Sequence, residues 1–386
     1  MKAAFAALIV AALSVAGAAS PLEASLVARD DGKTIRVKEG PNAIQKAIDG
    51  AKKGTRIVIE KGTYPEALTI RTNGISLEGK PGAVLVPPQY YVNNACTGVA
   101  AKANASDPAE STTQAGICIQ GQGIKLAQDF QTEHRRVASV ASYVKDVSLK
   151  GLTVKDFPVN IMVIGARNTD VKDNVLQHGR RYGLLTDGSY DTTVKGNVVT
   201  TTDDTDFIAV CMDGFAGAKA IENKLTGYAI GFCVQTNSEV TKRNTIKRTC
   251  SGISVDAHID GVKIIDNSIT EPKDPSLCGG FLIGILLDGA SNAEIHGNTI
   301  KGHIVPAPGG GYGILGFDEP CTPANGLACL YDSTPSLLVG NKITNNVVRG
   351  NGQDIAVFES TPGANVVRNN DCQPATQEGA LAGTCE

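Results

Sequence analysis

The stretch "VKDNVLQHGRRYGLLTDGSYDTTVKGNVV" (residues 171–199) states one phrase twice, VKDNVL at its start and VKGNVV at its end. The phrase returns as IENKL (221–225), TKRNTI (241–246), IIDNSI (264–269), IHGNTI (295–300), LVGNKI (338–343) and VVRNN (366–370). Its asparagines are Asn174, Asn197, Asn223, Asn244, Asn267, Asn298, Asn341 and Asn369, spaced 21–43 residues apart. A short base period stretched by insertions is the signature of a solenoid, in which each repeat buries its apolar face only against its neighbours.

A second phrase lies between the asparagines: YGLLTDG (182–188), IAVCMDG (208–214), IGFCVQ (230–235), GISVDA (252–257), GILLDG (284–289), YGILGF (312–317) and DIAVF (354–358). Its apolar residues alternate, which is the period of a strand. One coil is then a strand ending in Asp, a turn, a second strand, Asn at a tight turn, a short third strand and a loop back. Asn tolerates the left-handed region that tight turns use, and stacked Asn side chains can bond one another along the axis. The expectation is an all-β, single-stranded parallel β-helix.

The N-terminal part fits the same plan. PNAIQKAIDGAKKG (41–54) carries apolar residues at helical spacing, predicting a capping α-helix over about residues 41–52. Such a helix covers the open end of the solenoid, which otherwise exposes apolar core and unpaired strand edge. The β-helix domain is expected over residues 25–386, with a long irregular insertion over about 88–142.

Composition narrows the function. The 386 residues are 42% hydrophobic with a net charge of −3, which leaves no basic footprint for nucleic acid. The first residues, MKAAFAALIVAALSVAGAAS, combine Lys2, a short apolar run and small residues at 16–18, as in a cleaved secretory signal (residues 1–19). The run is too short for a membrane anchor, so a secreted, extracellular monomer without membrane contact is expected. Ten cysteines suit an oxidising compartment. Asn104 heads the single glycosylation sequon, Asn104-Ala-Ser106, in a polar stretch.

The helix followed by GTRIVIEKGTY (54–64) and then the Asn phrases resembles the right-handed parallel β-helix superfamily of pectin-lyase-like proteins, over roughly residues 33–371. That fold hosts lyases, hydrolases, epimerases and non-enzymatic adhesins. In such enzymes the substrate groove runs along the strands corresponding to the second phrase, walled by loop insertions.

Alternation places Ile253 and Val255 in the core and Ser254 and Asp256 outside. The row through Asp256 then reads Asp187, Asp213, Gln235, Asp256, Asp288, Phe317, Phe358. The row through Ser254 puts Cys211 and Cys233 on adjacent coils, while Cys250 and Cys278 precede their strands. Five sequential disulfides are expected: Cys96–Cys118, Cys211–Cys233, Cys250–Cys278, Cys321–Cys329 and Cys372–Cys385. Like charges stacked at strand spacing repel unless they bind a cation or share protons, so the acidic row is a site candidate.

A polysaccharide lyase neutralises a uronate carboxylate, removes the C5 proton and protonates the leaving oxygen. Asp187 and Asp213 could hold Ca2+ through oxygen. Arg180, Arg181, Asp213, Asp256 and His258 are the catalytic candidates, with Tyr182, Gln235, Arg248 and Asp288 on substrate. The expected function is β-elimination on a uronate-containing polysaccharide, with a non-catalytic carbohydrate-binding or surface protein as the alternative. Two other readings rest on short motifs. NVVTTTDDTDFIAV (197–210) is similar to the Asp-Asp strand entry of polygalacturonases, but the next coil lacks their Gly-His-Gly. Asp256-Ala257-His258 is similar to the Asp-Pro-His of alginate C5-epimerases, with Ile253 where their Tyr is expected.

Overall fold

The computed structural model describes residues 26–30, 33–100, 113–131, 133–306, 310–322, 328–329, 332–373 and 385. The signal-like residues 1–19 and the sequon at Asn104 lie outside them. The chain winds as an all-β, right-handed parallel β-helix with three sheets. Sheet I holds the strands of the second phrase, such as Tyr182–Asp187, Ile208–Asp213 and Ser251–Val255. Sheet II follows with Tyr190–Lys195 and its equivalents, and sheet III with Val198–Thr200 and its equivalents.

Alternation in each strand supplies the core. Leu184, Val210, Phe232, Ile253, Ile285, Ile314 and Ile355 succeed one another in register down sheet I, all buried. Each such side chain contributes roughly 1.5–3 kcal/mol by leaving water. A glycine column lets sheet I close against sheet III: a Cβ on Gly252 would stand 2.5 Å from both Gly284 O and Ile269 Cγ2.

An asparagine ladder runs the length of the corner between sheets II and III. Asn174 donates its backbone N–H and its Nδ2 to Asn197 Oδ1, both at 3.0 Å. The same pair of bonds links Asn197 to Asn223, Asn223 to Asn244, Asn244 to Asn267 and Asn267 to Asn298. Beyond Asn298 the ladder passes to Asn346 and Asn370, not to Asn341 and Asn369. Asn341 precedes its sheet II strand, Lys342–Thr344, and pairs instead with Asn365 in a second, shorter ladder. The left-handed residue of the turn is the one before the ladder Asn: Asp173, Gly196, Glu222, Arg243, Asp266, Gly297, Asn345 and Asn369 all have φ between 54° and 69°. The ladder Asn therefore acts as a bridge between coils rather than as the residue that turns the chain.

The capping helix α1 spans Ala43–Asp49 and buries Ala43, Ile44, Ala47 and Ile48 against the first coil. Glu66 receives the helix's leading N–H groups, from Ile44 at 3.1 Å and Gln45 at 2.9 Å. The stretch expected as one insertion contains a strand of sheet I, Ala115–Gln120, because Ile117 and Ile119 alternate into the core. What leaves the solenoid is a segment before that strand and a hairpin after it, Lys125–Gln131 paired antiparallel with His134–Ser139.

Four of the five expected disulfides are present: Cys96–Cys118, Cys250–Cys278, Cys321–Cys329 and Cys372–Cys385. Cys211 and Cys233 are directly paired in register, yet both are buried thiols. In-register parallel strands hold equivalent Cβ atoms about 4.8 Å apart, wider than the roughly 3.8 Å a disulfide needs.

The ladder makes a stability prediction. Asn244→Ala leaves the Asn223 backbone N–H and Nδ2 and the Ala220 carbonyl without their buried partner. A loss of about 2–4 kcal/mol in urea unfolding is expected, since each orphaned buried group costs about 1–3 kcal/mol. A loss below about 0.5 kcal/mol would remove the ladder from the stability account.

Candidate functional site

The outward row aligns as sequence alternation requires. Asp187 and Asp213 are direct partners, Met212 pairs with Val234, Val234 with Val255 and Val255 with Leu287. The next residues, Gln235, Asp256 and Asp288, therefore continue the row along the C-terminal edge of sheet I.

The hairpin covers the upper part of that row. Cys96, Val99, Ala100 and Val137 form a second apolar cluster with Met162, Tyr182, Leu185, Ile208, Cys211 and Cys233 on the outer face of the sheet. Polar groups seat the hairpin at fixed points. Arg136 grips Asp213 with two bonds, Nε to Oδ2 at 2.9 Å and Nη2 to Oδ1 at 3.1 Å. His134, 1% exposed, bridges Tyr182 Oη at 3.2 Å and Asp213 Oδ2 at 3.1 Å. Val137 donates its N–H to Asp187 Oδ1 at 2.8 Å.

The calcium pair expected at Asp187 and Asp213 is thus replaced by another arrangement. Both carboxyls are buried, Asp213 is neutralised by a guanidinium, and Asp187 is held well above its ordinary value of 3.8 by burial and then by the Asp213 charge. Burial pulls the His134 imidazole down, but the Asp213 hydrogen bond and charge outweigh it and leave the net shift upward. Tyr182, expected on substrate, is fully buried beneath the hairpin and faces no groove.

The expected arginines stand elsewhere. Arg180 and Arg181 precede the sheet I strand and Asp187 ends it, so seven residues at about 3.3 Å separate the two edges by roughly 20 Å. Arg181 fastens the insertion, donating from Nε to Ala100 O at 3.2 Å and from Nη2 to Glu133 O at 3.0 Å. Arg180 and Arg248 are exposed at the far edge. Asp288 is buried and hydrogen-bonded to Glu319. Burial, then that hydrogen bond and the Glu319 charge, hold Asp288 above the usual carboxylate range.

What remains open lies below the hairpin. A cleft of about 340 Å³ is lined by Arg136, Phe215, Gln235, Asn237, His258 and Asp332, among others. Gln235 Nε2 donates to Asp256 Oδ2 at 2.6 Å and to Glu133 Oε2 at 3.2 Å, tying the hairpin to the row. His258 sits in a left-handed turn, φ 61°, with its N–H on Ser336 Oγ at 2.7 Å. Its Nε2 lies 3.2 Å from both Ala328 O and Thr334 O. Carbonyls only accept, so Nε2 carries the ring proton and Nδ1 is the basic nitrogen. Glu133, Cys233 and Asp256 also bring their donor atoms within 4.8 Å of one another, the one such group among the described residues.

The structure therefore gathers Gln235, Asp256 and His258 from the expected set and adds Glu133, His134 and Arg136. The run His134-Arg135-Arg136 is visible in the sequence as the insertion's basic cluster, but its target is not. A strand in an insertion carries no repeat register to align it with the coils.

Two family models match parts of the chain: one described as periplasmic copper-binding protein (NosD), over residues 92–274, and one described as right handed beta helix region, over residues 208–384. No curated protein matches by sequence. Among solved structures, the A-module of the Azotobacter vinelandii mannuronan C-5 epimerase AlgE6 is 14% identical, with a TM-score of 0.51 over 85% of this chain and 88% of that one. The PL6 family alginate lyase AlyGC is 12% identical, with a TM-score of 0.50 over 90% of this chain and 52% of that one. The Dettilon tailspike protein (gp208) is 14% identical, with a TM-score of 0.49 over 89% of this chain and 64% of that one. The chain thus spans about half the lyase and under two thirds of the tailspike.

The clasp predicts a pH dependence. A carboxyl raised in the folded state, as at Asp187, favours folding while protonated, and that contribution is lost as pH rises from the ordinary carboxylate value through the folded one. Raised His134 acts in the same direction: its contribution is full below about 6.5 and fades above. The unfolding midpoint is expected to fall between pH 5 and 9, with a shallower fall in Asp187→Asn. A flat wild-type profile across that window would contradict the clasp electrostatics.

Proposed function

We propose that the protein is an exported, carbohydrate-active β-helix that cleaves a uronate-containing polysaccharide by β-elimination in the cleft below the hairpin. The observation that carries this reading is the meeting of Arg136 and His258 in that cleft, a fixed cation beside an imidazole whose tautomer is set. The fold-level likeness to an epimerase module and an alginate lyase supports the substrate class by analogy. The match to a periplasmic protein family and four disulfides support export.

In this mechanism the uronate carboxylate docks on Arg136, with the amide of Asn237 beside it, and hydrogen bonds from these groups stabilise its charge as the C5 carbanion develops. The carboxylate of Asp213 holds the guanidinium in place, so the cation needs no reorganisation when substrate arrives. His258 Nδ1 removes the C5 proton while Nε2 stays anchored on carbonyl oxygens. The resulting imidazolium can return the proton to the leaving oxygen when both lie on one face of the sugar. The arginines at the far edge of sheet I, Arg180 and Arg248, fall outside the reaction on this reading.

The test is incubation with pectate, alginate and glucuronan, following absorbance of the unsaturated product. His258→Gln places an amide donor near the Nε2 position that meets the carbonyls but removes the base, so kcat is expected to fall at least about 100-fold with little change in KM. Arg136→Gln should raise KM and lower kcat together. New reducing ends without the absorbance would replace elimination by hydrolysis. Polymer retention without any product would leave a binding protein.

A further inference from the structure

We propose that Glu133, Cys233 and Asp256, with Cys211 as a neighbouring second thiol, form a binding site for a single thiophilic d10 cation, Zn2+ or Cu+. The proposal does not depend on the polysaccharide reading. It concerns the floor between the hairpin and sheet I, next to the cleft rather than in it.

The donors come from three separate parts of the fold. Glu133 is the turn residue just before the second hairpin strand, Cys233 lies on the outer face of Ile230–Val234, and Asp256 follows Ser251–Val255 on the next coil. Their donor atoms lie within 4.8 Å of one another. Tetrahedral zinc places its donors about 3.3–3.8 Å apart, so the group must contract by roughly 1 Å, within the reach of carboxylate rotamers. Cys211 is the register partner of Cys233 on the preceding coil, and its Sγ faces Gln235 Oε1 at 3.6 Å. A second thiol therefore lies on the coil beside the three converging donors.

The present contacts mark where positive charge belongs. Two carboxylates, Glu133 and Asp256, meet at a single amide group, Gln235 Nε2, which donates to both. A cation at that point would satisfy the same oxygens, and Gln235 would remain behind them to orient the carboxylates. The half-buried Glu133 and Asp256 give an entry path from solvent, while buried Cys233 forms the closed end. The thiols are reduced and unlinked, as metal ligation requires.

The donor set also separates the two metals. Thiolates suit Cu+ and Zn2+ alike, whereas carboxylates favour Zn2+. One family model that matches this region, over residues 92–274, is described as copper-binding and covers all four residues, so Cu+ has to be tested beside Zn2+. The residues fit either ion, and the carboxylates decide between them.

The experiment uses the full chain with its four disulfides intact and Cys211 and Cys233 as thiols. Titration with Co2+, a spectroscopic stand-in for Zn2+, is expected to give a sulfur-to-metal charge-transfer band saturating at one equivalent, displaced by added Zn2+. Zn2+ should raise Tm, and Cys233→Ser should lose both the band and the shift. Cu+ uptake is measured by competition with a chromophoric Cu+ chelator. Zn2+ affinity falling at least about tenfold in the Glu133→Gln/Asp256→Asn double variant, with Cu+ affinity unchanged, assigns the site to both ions with the carboxylates selecting zinc. Absence of a charge-transfer band and of Cu+ uptake in the disulfide-intact wild-type chain overturns the proposal, as does Cys233→Ser binding both metals like wild type. A native Cys211–Cys233 disulfide in the purified exported protein also overturns it.

Discussion

Each coil must lie in register on the one before it, at the strand spacing of about 4.8 Å, and everything else in this protein depends on that repeat. The spacing is enforced at two levels. Strand hydrogen bonds set the distance, and the asparagine ladder sets the register at the corner between sheets II and III. A buried ladder Asn satisfies backbone groups of the preceding coil and donates to the ladder Asn of the next, so a slipped coil would orphan several groups at once. That cost explains why the phrase survives insertions of very different length between its copies: the chain may leave the solenoid, but it must re-enter at the same rung.

The same constraint creates a problem on the outer face. A row that repeats Asp at strand spacing would stack charge on charge, and the structure disperses that charge by four separate means. Burial pushes Asp187 toward its neutral form, Asp213 is paired with Arg136 and His134, Gln235 replaces the next carboxylate with an amide, and burial and the hydrogen bond to Glu319 raise Asp288 likewise. Only Asp256 remains as a half-exposed carboxylate, held by that amide. The hairpin is therefore both a lid on the apolar outer face and the counter-charge of the row. By ending where it does, it moves the open surface from the whole stripe to the cleft at His258.

The outer face thus carries two kinds of chemistry side by side. Toward solvent lie a guanidinium, amides and an imidazole, which suit an anionic polymer. Behind them, under the hairpin, lie two thiols and two carboxylates, which suit a soft cation. Gln235 belongs to both, lining the cleft and bridging Glu133 to Asp256. A cation at the inner site would act on the outer one through this residue.

The repeat, the three strands of a coil, the capping helix and the alignment of the acidic row were all legible in the sequence, because alternation and period are properties of consecutive residues. Even there one turn was read a strand early, at Asn341 instead of Asn346, and the last a residue early, at Asn369 instead of Asn370, where consecutive asparagines fit either position. Which row members see solvent was decided only by tertiary structure. Arg180 and Arg181 sit next to the strand in sequence but at its far edge in space, while Glu133, His134 and Arg136 are distant in sequence and touch the row. The sequence by itself determined where each coil's side chains point, because a β-strand fixes that locally. It could not determine what covers them, because the hairpin's docking rests on contacts between residues 48 to 102 positions apart that leave no periodic trace.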